Sequence, residues 1–218
     1  MTPELYLKPG EFIDSDDADV RAFARDASAG AGDDVSRAVK LYYVVRDEIL
    51  YDPYYAGEER SYFRASACLR AGRGFCIPKS ALLAAAARAL GIPARVGYAD
   101  VRNHLSSQRL IELLGSDLFV WHSFTELYLA GQWVKATPAF NLRLCQHFGV
   151  SPLEFDGRHD SLFQEYDHGG RRYMEYVTQR GDYPDVPYGT IIADFKRLYP
   201  RWLALVESGT RENIAAQP

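Results

Sequence analysis

Two side chains in this sequence are of the types that thiol chemistry requires. Cys76 lies in the glycine-rich stretch Gly72-Arg-Gly-Phe-Cys76-Ile-Pro-Lys-Ser80 and opens an alanine-rich run to Leu90, closed by Gly91-Ile-Pro93. Pro78 suits a first helical turn, where its missing N–H costs nothing, and glycine is a natural helix stop. The stretch therefore predicts a helix with the cysteine at its N-terminus, beside unpaired backbone N–H groups. Such a placement favours thiolate over thiol and predicts a nucleophile near neutral pH. The plainer reading is a small apolar residue filling space at a helix entry. His122 follows 46 positions on, in Leu118-Phe-Val-Trp-His122-Ser-Phe-Thr-Glu126-Leu-Tyr-Leu129. Cysteine and histidine are the minimum for thiol catalysis: the imidazole takes or shares the thiol proton, and a third group fixes its tautomer. Alone, His122 reads as a half-buried strand histidine bonded to a carbonyl.

The strand carrying His122 is followed by Ala130-Gly131 and a second strand-like run, Gln132-Trp-Val-Lys135-Ala-Thr137-Pro-Ala-Phe-Asn141. That pattern predicts a hairpin. With Ala130 and Gly131 as the turn, Tyr128 faces Trp133, Glu126 faces Lys135, Phe124 faces Thr137 and His122 faces Ala139. All share one face, because strand side chains alternate. The opposite charges of Glu126 and Lys135 support this register. Thr137 and Asn141 are then the polar diagonal neighbours of His122. Trp121 points to the other face, toward the core.

These residues need elements to hold them. Caps at Ser15 to Asp19 and apolar Val20, Phe23 and Ala24 predict a first helix ending by Gly32. Val35, Val39, Tyr42, Val45 and Ile49 form one face of a second helix, from Asp33/Asp34 to about Leu50. A tyrosine loop (51–62) leads to a short helix over 65–71, in which Cys68 faces the interior. After the cysteine helix come a strand over 94–101 and a short helix over about 107–114. Residues 142–148 suit one or two helical turns, 171–178 a strand, and 190–205 a helix interrupted at Pro200. Asp156–Asp160 reads as a solvated turn and the last ten residues as a frayed tail. The expectation is a single domain over 1–218, with a core at 35–145, a helical lead-in at 1–34 and an extension at 146–218.

Composition narrows the function classes. The chain has 218 residues, 47% apolar and 25% charged, with a net charge of −4 and no basic block, so nothing in it points to nucleic acid. The most apolar stretch, 81–87, is too short to span a bilayer, and no secretory signal is visible at the start. Three cysteines (Cys68, Cys76, Cys145) without metal spacing suit reduced thiols and a cytoplasmic location. His104, His147, His159 and His168 have no ligand spacing with any cysteine, so no metal or organic cofactor is expected.

Taken together, Gly74-Phe-Cys76, Ala81-Leu-Leu-Ala-Ala and Ala89-Leu-Gly-Ile-Pro-Ala-Arg95-Val resemble the cysteine motif of the transglutaminase-like (papain-like) superfamily. His122-Ser-Phe-Thr-Glu-Leu-Tyr-Leu followed by Gly131-Gln-Trp-Val resembles that family's histidine motif. The resemblance covers roughly residues 35 to 145, and the two halves in order are more specific than either alone. It implies an α+β fold, with the nucleophile helix packed on an antiparallel β-sheet, N-terminal helices before it and a C-terminal extension after it. It assigns Cys76 as nucleophile and His122 as base. The family's third member is an aspartate opening Asp-Pro-Thr, and here that place reads Thr137-Pro-Ala.

A carboxylate orients the imidazole and stabilises its charged form, whereas threonine can only orient it. Thr137 is one candidate for that role. Asn141 is the other, as asparagine serves in Cys-His-Asn sites. The resulting expectation is a thiol enzyme acting on a peptide or small amide substrate by hydrolysis or acyl transfer. Tyrosines of the 51–62 loop and the C-terminal part wall its cleft. The alternative is a catalytically silent binding module on the same fold. The sequence is silent on the particular amide, the acyl acceptor and the oligomeric state.

Overall fold

A computed structural model describes residues 3–104, 106–163 and 173–208. In chain order the elements are α1 (Ala18–Ala27), α2 (Asp34–Glu48), β1 (Leu50–Tyr51), α3 (Ala65–Ala71), β2 (Arg73–Gly74), α4 (Cys76–Ala89) and β3 (Ala94–Asn103). They continue with α5 (Gln108–Leu114), β4 (Leu118–Leu129), β5 (Gln132–Ala136), α6 (Leu142–Phe148), β6 (Met174–Tyr183), α7 (Tyr188–Leu198) and α8 (Pro200–Glu207).

The alanine-rich run forms α4, and its composition explains its place. Every residue from Ile77 to Arg88 is buried. A helix without a polar face is stable only when surrounded, and its small side chains let α1, α2 and α3 on one side and β3 and β4 on the other pack directly against it. The helices around it start and stop by local rules. Asp17 caps α1 through the N–H groups of Asp19 and Val20, Asp33 and Ser36 form a reciprocal box at α2, and Gly72 ends α3 in the left-handed region.

The sheet on the other side of α4 is antiparallel, in the order β5-β4-β3-β6. Gly97 on β3 is required by its neighbour: a Cβ there would lie 2.3 Å from the ring of Phe124 on β4. The β4–β5 turn is Ala130-Gly131, both with positive φ (49° and 88°), the geometry that favours two-residue hairpins. Glu126 pairs with Lys135 and Tyr128 with Trp133, the register expected from sequence.

That register stops earlier than expected. The ladder ends at Thr125–Ala136, so Phe124 has no partner in Thr137, nor His122 in Ala139. Pro138 has no N–H to donate and restricts Thr137 before it. The chain departs there, and Ala136 bridges to Ser161. His122 is paired on its other side only, to Ala99 of β3.

Toward the C-terminus, β6 runs from Met174 to Tyr183, later than the strand expected at 171–178, of which 171 and 172 lie outside the described residues. The helix expected over 190–205 is two, α7 and α8, separated at Tyr199-Pro200. This segment also secures the lead-in. The Asp185 carboxylate accepts from the N–H groups of Glu11 (2.7 Å) and Ile13 (2.9 Å), and buried Arg88 of α4 donates to the carbonyls of Lys8 and Pro184. Among the described residues no helix is long and apolar enough to cross a membrane.

Candidate active site

Cys76 is brought to the cleft by a short parallel bridge. Leu50 pairs with Arg73 and Tyr51 with Gly74, closed by hydrogen bonds from Leu50 N to Gly72 O (2.9 Å) and Asp52 N to Gly74 O (3.0 Å). Gly74 must be glycine, because a Cβ there would meet Cys68 Sγ at 2.9 Å and Pro78 Cγ at 3.0 Å. Phe75 then caps α4 without any side-chain hydrogen bond, which leaves the first-turn N–H groups of Cys76 and Ile77 to face the Cys76 sulfur. Pro78 has none to leave.

The position of that bridge depends on a residue that sequence reasoning missed. Lys79, wholly buried in α4, donates to the carbonyls of Arg46 (3.0 Å) and Ile49 at the C-terminal end of α2. Burial pulls its amine down to about 7. A lysine one turn into an apolar helix looks in sequence like a surface residue. Only the packing of α2 against α4 gives it carbonyls to satisfy.

Around the Cys76 sulfur, backbone N–H groups of Ser123, Ile77 and Cys76 itself favour the thiolate, but burial outweighs them and pushes the thiol up to about 11. This corrects the expectation of a preformed thiolate near neutral pH. The helix terminus supplies its pull, and desolvation at the floor of the cleft opposes it more strongly. Burial likewise lowers His122 to about 4. Both shifts run against a standing thiolate–imidazolium pair.

His122 is buried, its ring 5.6 Å from that of Phe163, and its Nε2 has no hydrogen-bond partner among the described residues. Neither expected orienting residue bonds to it. Thr137 is buried, its Oγ1 has no partner among the described residues, and its carbonyl accepts from Tyr42 Oη at 3.2 Å. Asn141 is buried at the start of α6, and its Oδ1 accepts from the Tyr51 N–H at 3.2 Å. Asn141 thus fixes the chain beside the cysteine rather than the imidazole. Glu126, expected to pair with Lys135, is held by Arg95 Nε at 2.5 Å instead, while Lys135 lies over the Phe124 ring.

Cys76 and His122 line one cavity of about 920 Å³, to which Asn141 also belongs. Its walls are largely apolar, with Tyr51, Tyr54, Phe119, Phe140, Tyr173 and Trp202 among them, so both the tyrosine loop and the C-terminal part contribute as expected. Cys68 is buried, its thiol pushed up to about 12, and lines no part of this cavity. Cys145 is buried, raised to about 11, and reaches the same cavity. Among the described residues no three His, Cys, Asp or Glu side chains cluster as a metal ion would need. His159 bonds to Asp156 (2.6 Å) in the solvated turn, and His168 lies outside the described residues.

The profile of the transglutaminase-like superfamily matches residues 21–138, more than half of the chain. Among solved structures, the "putative cysteine protease" of Cytophaga hutchinsonii superimposes with a TM-score of 0.53 at 18% identity, over 88% of this chain and 50% of that one. The chain thus spans about half the length of that structure and shares its fold. A "putative protease" of Parabacteroides distasonis is similar at 15% identity with a TM-score of 0.40, over 62% of this chain and 25% of that one. No curated protein matches the sequence.

Proposed function

The chain belongs to the transglutaminase-like superfamily, and on that footing we propose that it is a thiol enzyme acting on an amide or peptide bond. The observation that supports this best is the shared cavity: the nucleophile-type cysteine at a helix N-terminus and the histidine of the adjacent strand line one apolar cleft.

In this reading the resting thiol is neutral and loses its proton during attack rather than before it. Cys76 Sγ bonds to the substrate carbonyl carbon as its proton passes to His122. The N–H groups around Cys76 are the candidates to receive the developing oxyanion. The imidazolium returns the proton to the leaving nitrogen as the C–N bond breaks, and water or an amine then releases the acyl group. With Thr137 where the family has aspartate, no carboxylate among the described residues bonds to His122 to stabilise the imidazolium. The low affinity of His122 for its proton fits a brief proton carrier better than a standing ion pair. Among the described residues neither His122 Nε2 nor Thr137 Oγ1 has a partner, which also favours a second reading, a binding cleft without turnover.

Alkylation of Cys76 by iodoacetamide against pH separates the two. An active pair gives a rate that rises through about pH 4, as His122 loses its proton, and then stays level. In His122→Ala that rate falls, and reactivity returns only as the pH approaches about 11. Wild type behaving like His122→Ala would mean a silent cleft. Cys76→Ala retaining full turnover on any amide found by screening would end the enzyme reading.

A further inference from the structure

The strand that carries His122 is irregular just before it. Ala99 of β3 pairs with His122 and Val101 with Phe119, so one β3 residue, Asp100, faces two on β4, Val120 and Trp121. This is a β-bulge, a device found near active sites where a side chain must be re-aimed. Trp121 has φ 61°, a left-handed conformation that a bulky residue adopts only under constraint.

The extra residue decides which way the imidazole faces. Ala99 and Val101, two apart, share a face, and their partners His122 and Phe119 join it although they are three apart. In a regular strand three steps reverse the side chain. The bulge therefore puts His122 on the face of Phe119 and Val101, which line the cleft with it.

Both bulge N–H groups are satisfied by side chains. Trp121 N donates to Asp100 Oδ1 at 3.1 Å, and Val120 N donates to Tyr199 Oη at 2.7 Å, whose own proton goes to Leu118 O at 2.7 Å. Arg180 Nε donates to the same Asp100 oxygen at 2.5 Å, and its guanidinium stacks 4.4 Å over the Trp121 ring. Asp194 Oδ2 accepts from both Trp121 Nε1 (2.9 Å) and Arg180 Nη1 (3.0 Å). Arg180 is itself the extra residue of a bulge in β6, since Tyr98 pairs with Gly181 and Ala99 with Gln179.

Three of these residues, Arg180, Asp194 and Tyr199, lie beyond residue 138, where the superfamily match ends. We propose that the C-terminal segment works with Asp100 as a clamp on the Trp121 bulge, and that this clamp aims His122 at the Cys76 cleft. Asp100, Arg180, Asp194 and Tyr199 are positioning residues in this scheme. It rests on the reading that His122 serves Cys76.

The test is a set of variants read by two independent signals, Cys76 alkylation and the titration of the His122 ring by NMR. Asp100→Ala and Tyr199→Phe are expected to slow alkylation about tenfold or more, a misplacement effect. They should also move the His122 titration from about 4 toward 6.5 as the ring leaves its buried site. Asp100→Asn, which keeps the acceptor, should hold both signals near wild type. In a His122→Ala background Asp100→Ala should slow alkylation no further.

Wild-type rate and titration in folded Tyr199→Phe and Asp100→Ala would overturn the clamp. So would equal slowing with and without His122, the mark of a merely structural effect. If His122→Ala alkylates at the wild-type rate, the Cys76–His122 reading fails. The clamp is then judged by the His122 titration alone, and an unmoved titration overturns it.

Discussion

Helix α4 and the start of β4 hold the two reactive side chains by opposite means. Cys76 sits on a regular helix fixed sterically, by small apolar residues with neighbours on every side. His122 sits beside a strained residue fixed by charge, through the Asp100–Arg180–Asp194 network. A steric support is rigid against any added volume but indifferent to pH. A polar support tolerates shape changes and depends on the protonation and hydrogen-bonding capacity of a few groups. The comparison teaches that one site can combine a support written in local composition with one written only in tertiary contacts.

The largest effect expected from this contrast lies on the helix. Ala84 is fully buried, and Ala84→Leu adds three carbons where α4 is enclosed on all sides. Overpacking of this kind costs about 1–3 kcal/mol, and more where no neighbour can yield. We expect about 3 kcal/mol, read as a lower urea midpoint with an unchanged m-value. A variant as stable as wild type would mean that the support is looser than its burial implies.

Next comes Gly97→Ala, a steric test placed on the sheet. The new methyl meets Phe124 at 2.3 Å, and Phe124 is buried. A loss of about 2 kcal/mol is expected, with part of it recovered when Phe124→Leu is added. Additive losses in the double variant would point away from this contact.

The difference between the supports also sets how much of each was legible. The Gly-Phe-Cys entry, the alanine run and Gly91 specify α4 within some twenty consecutive residues, and the helix starts at Cys76 as read. The hairpin was legible because its turn residues and the Glu126–Lys135 register are local too. Thr137-Pro138 ended the ladder early, and Glu126 found Arg95 on β3 instead, a partner that no hairpin rule can supply. A left-handed Trp121 has no sequence mark at all. Its conformation is set by Asp100, Arg180 and Asp194, whose contacts with one another bridge 80 and 14 positions. Lys79 hides for the same reason, its acceptors lying 30 and 33 positions away.

A pH effect sharpens the comparison from the strand side. Burial depresses His122 to about 4 in the folded chain, against an ordinary value of 6.5. Below about 6.5 the unfolded chain takes up the proton first, so this contribution to stability is lost as pH falls from there through about 4. Urea midpoints measured across that window should fall less steeply in His122→Leu than in wild type. Parallel curves would mean that His122 already titrates normally in the folded protein.

Smallest of all should be Glu126→Gln, even though the carboxylate is buried and its ion pair with Arg95 is short. Burial raises the Glu126 carboxyl despite the pull of Arg95, so the folded site favours its charged form less than water does. Glutamine keeps an oxygen for the Arg95 N–H. Arg95 also retains Asp182 at 2.9 Å and its place over the Trp133 ring at 4.4 Å. The expected loss at neutral pH is therefore about 1 kcal/mol or less. A loss well above 2 kcal/mol would show that the ion pair itself holds β3 to β4. Charge would then support the middle of the sheet as well as the bulge beside His122.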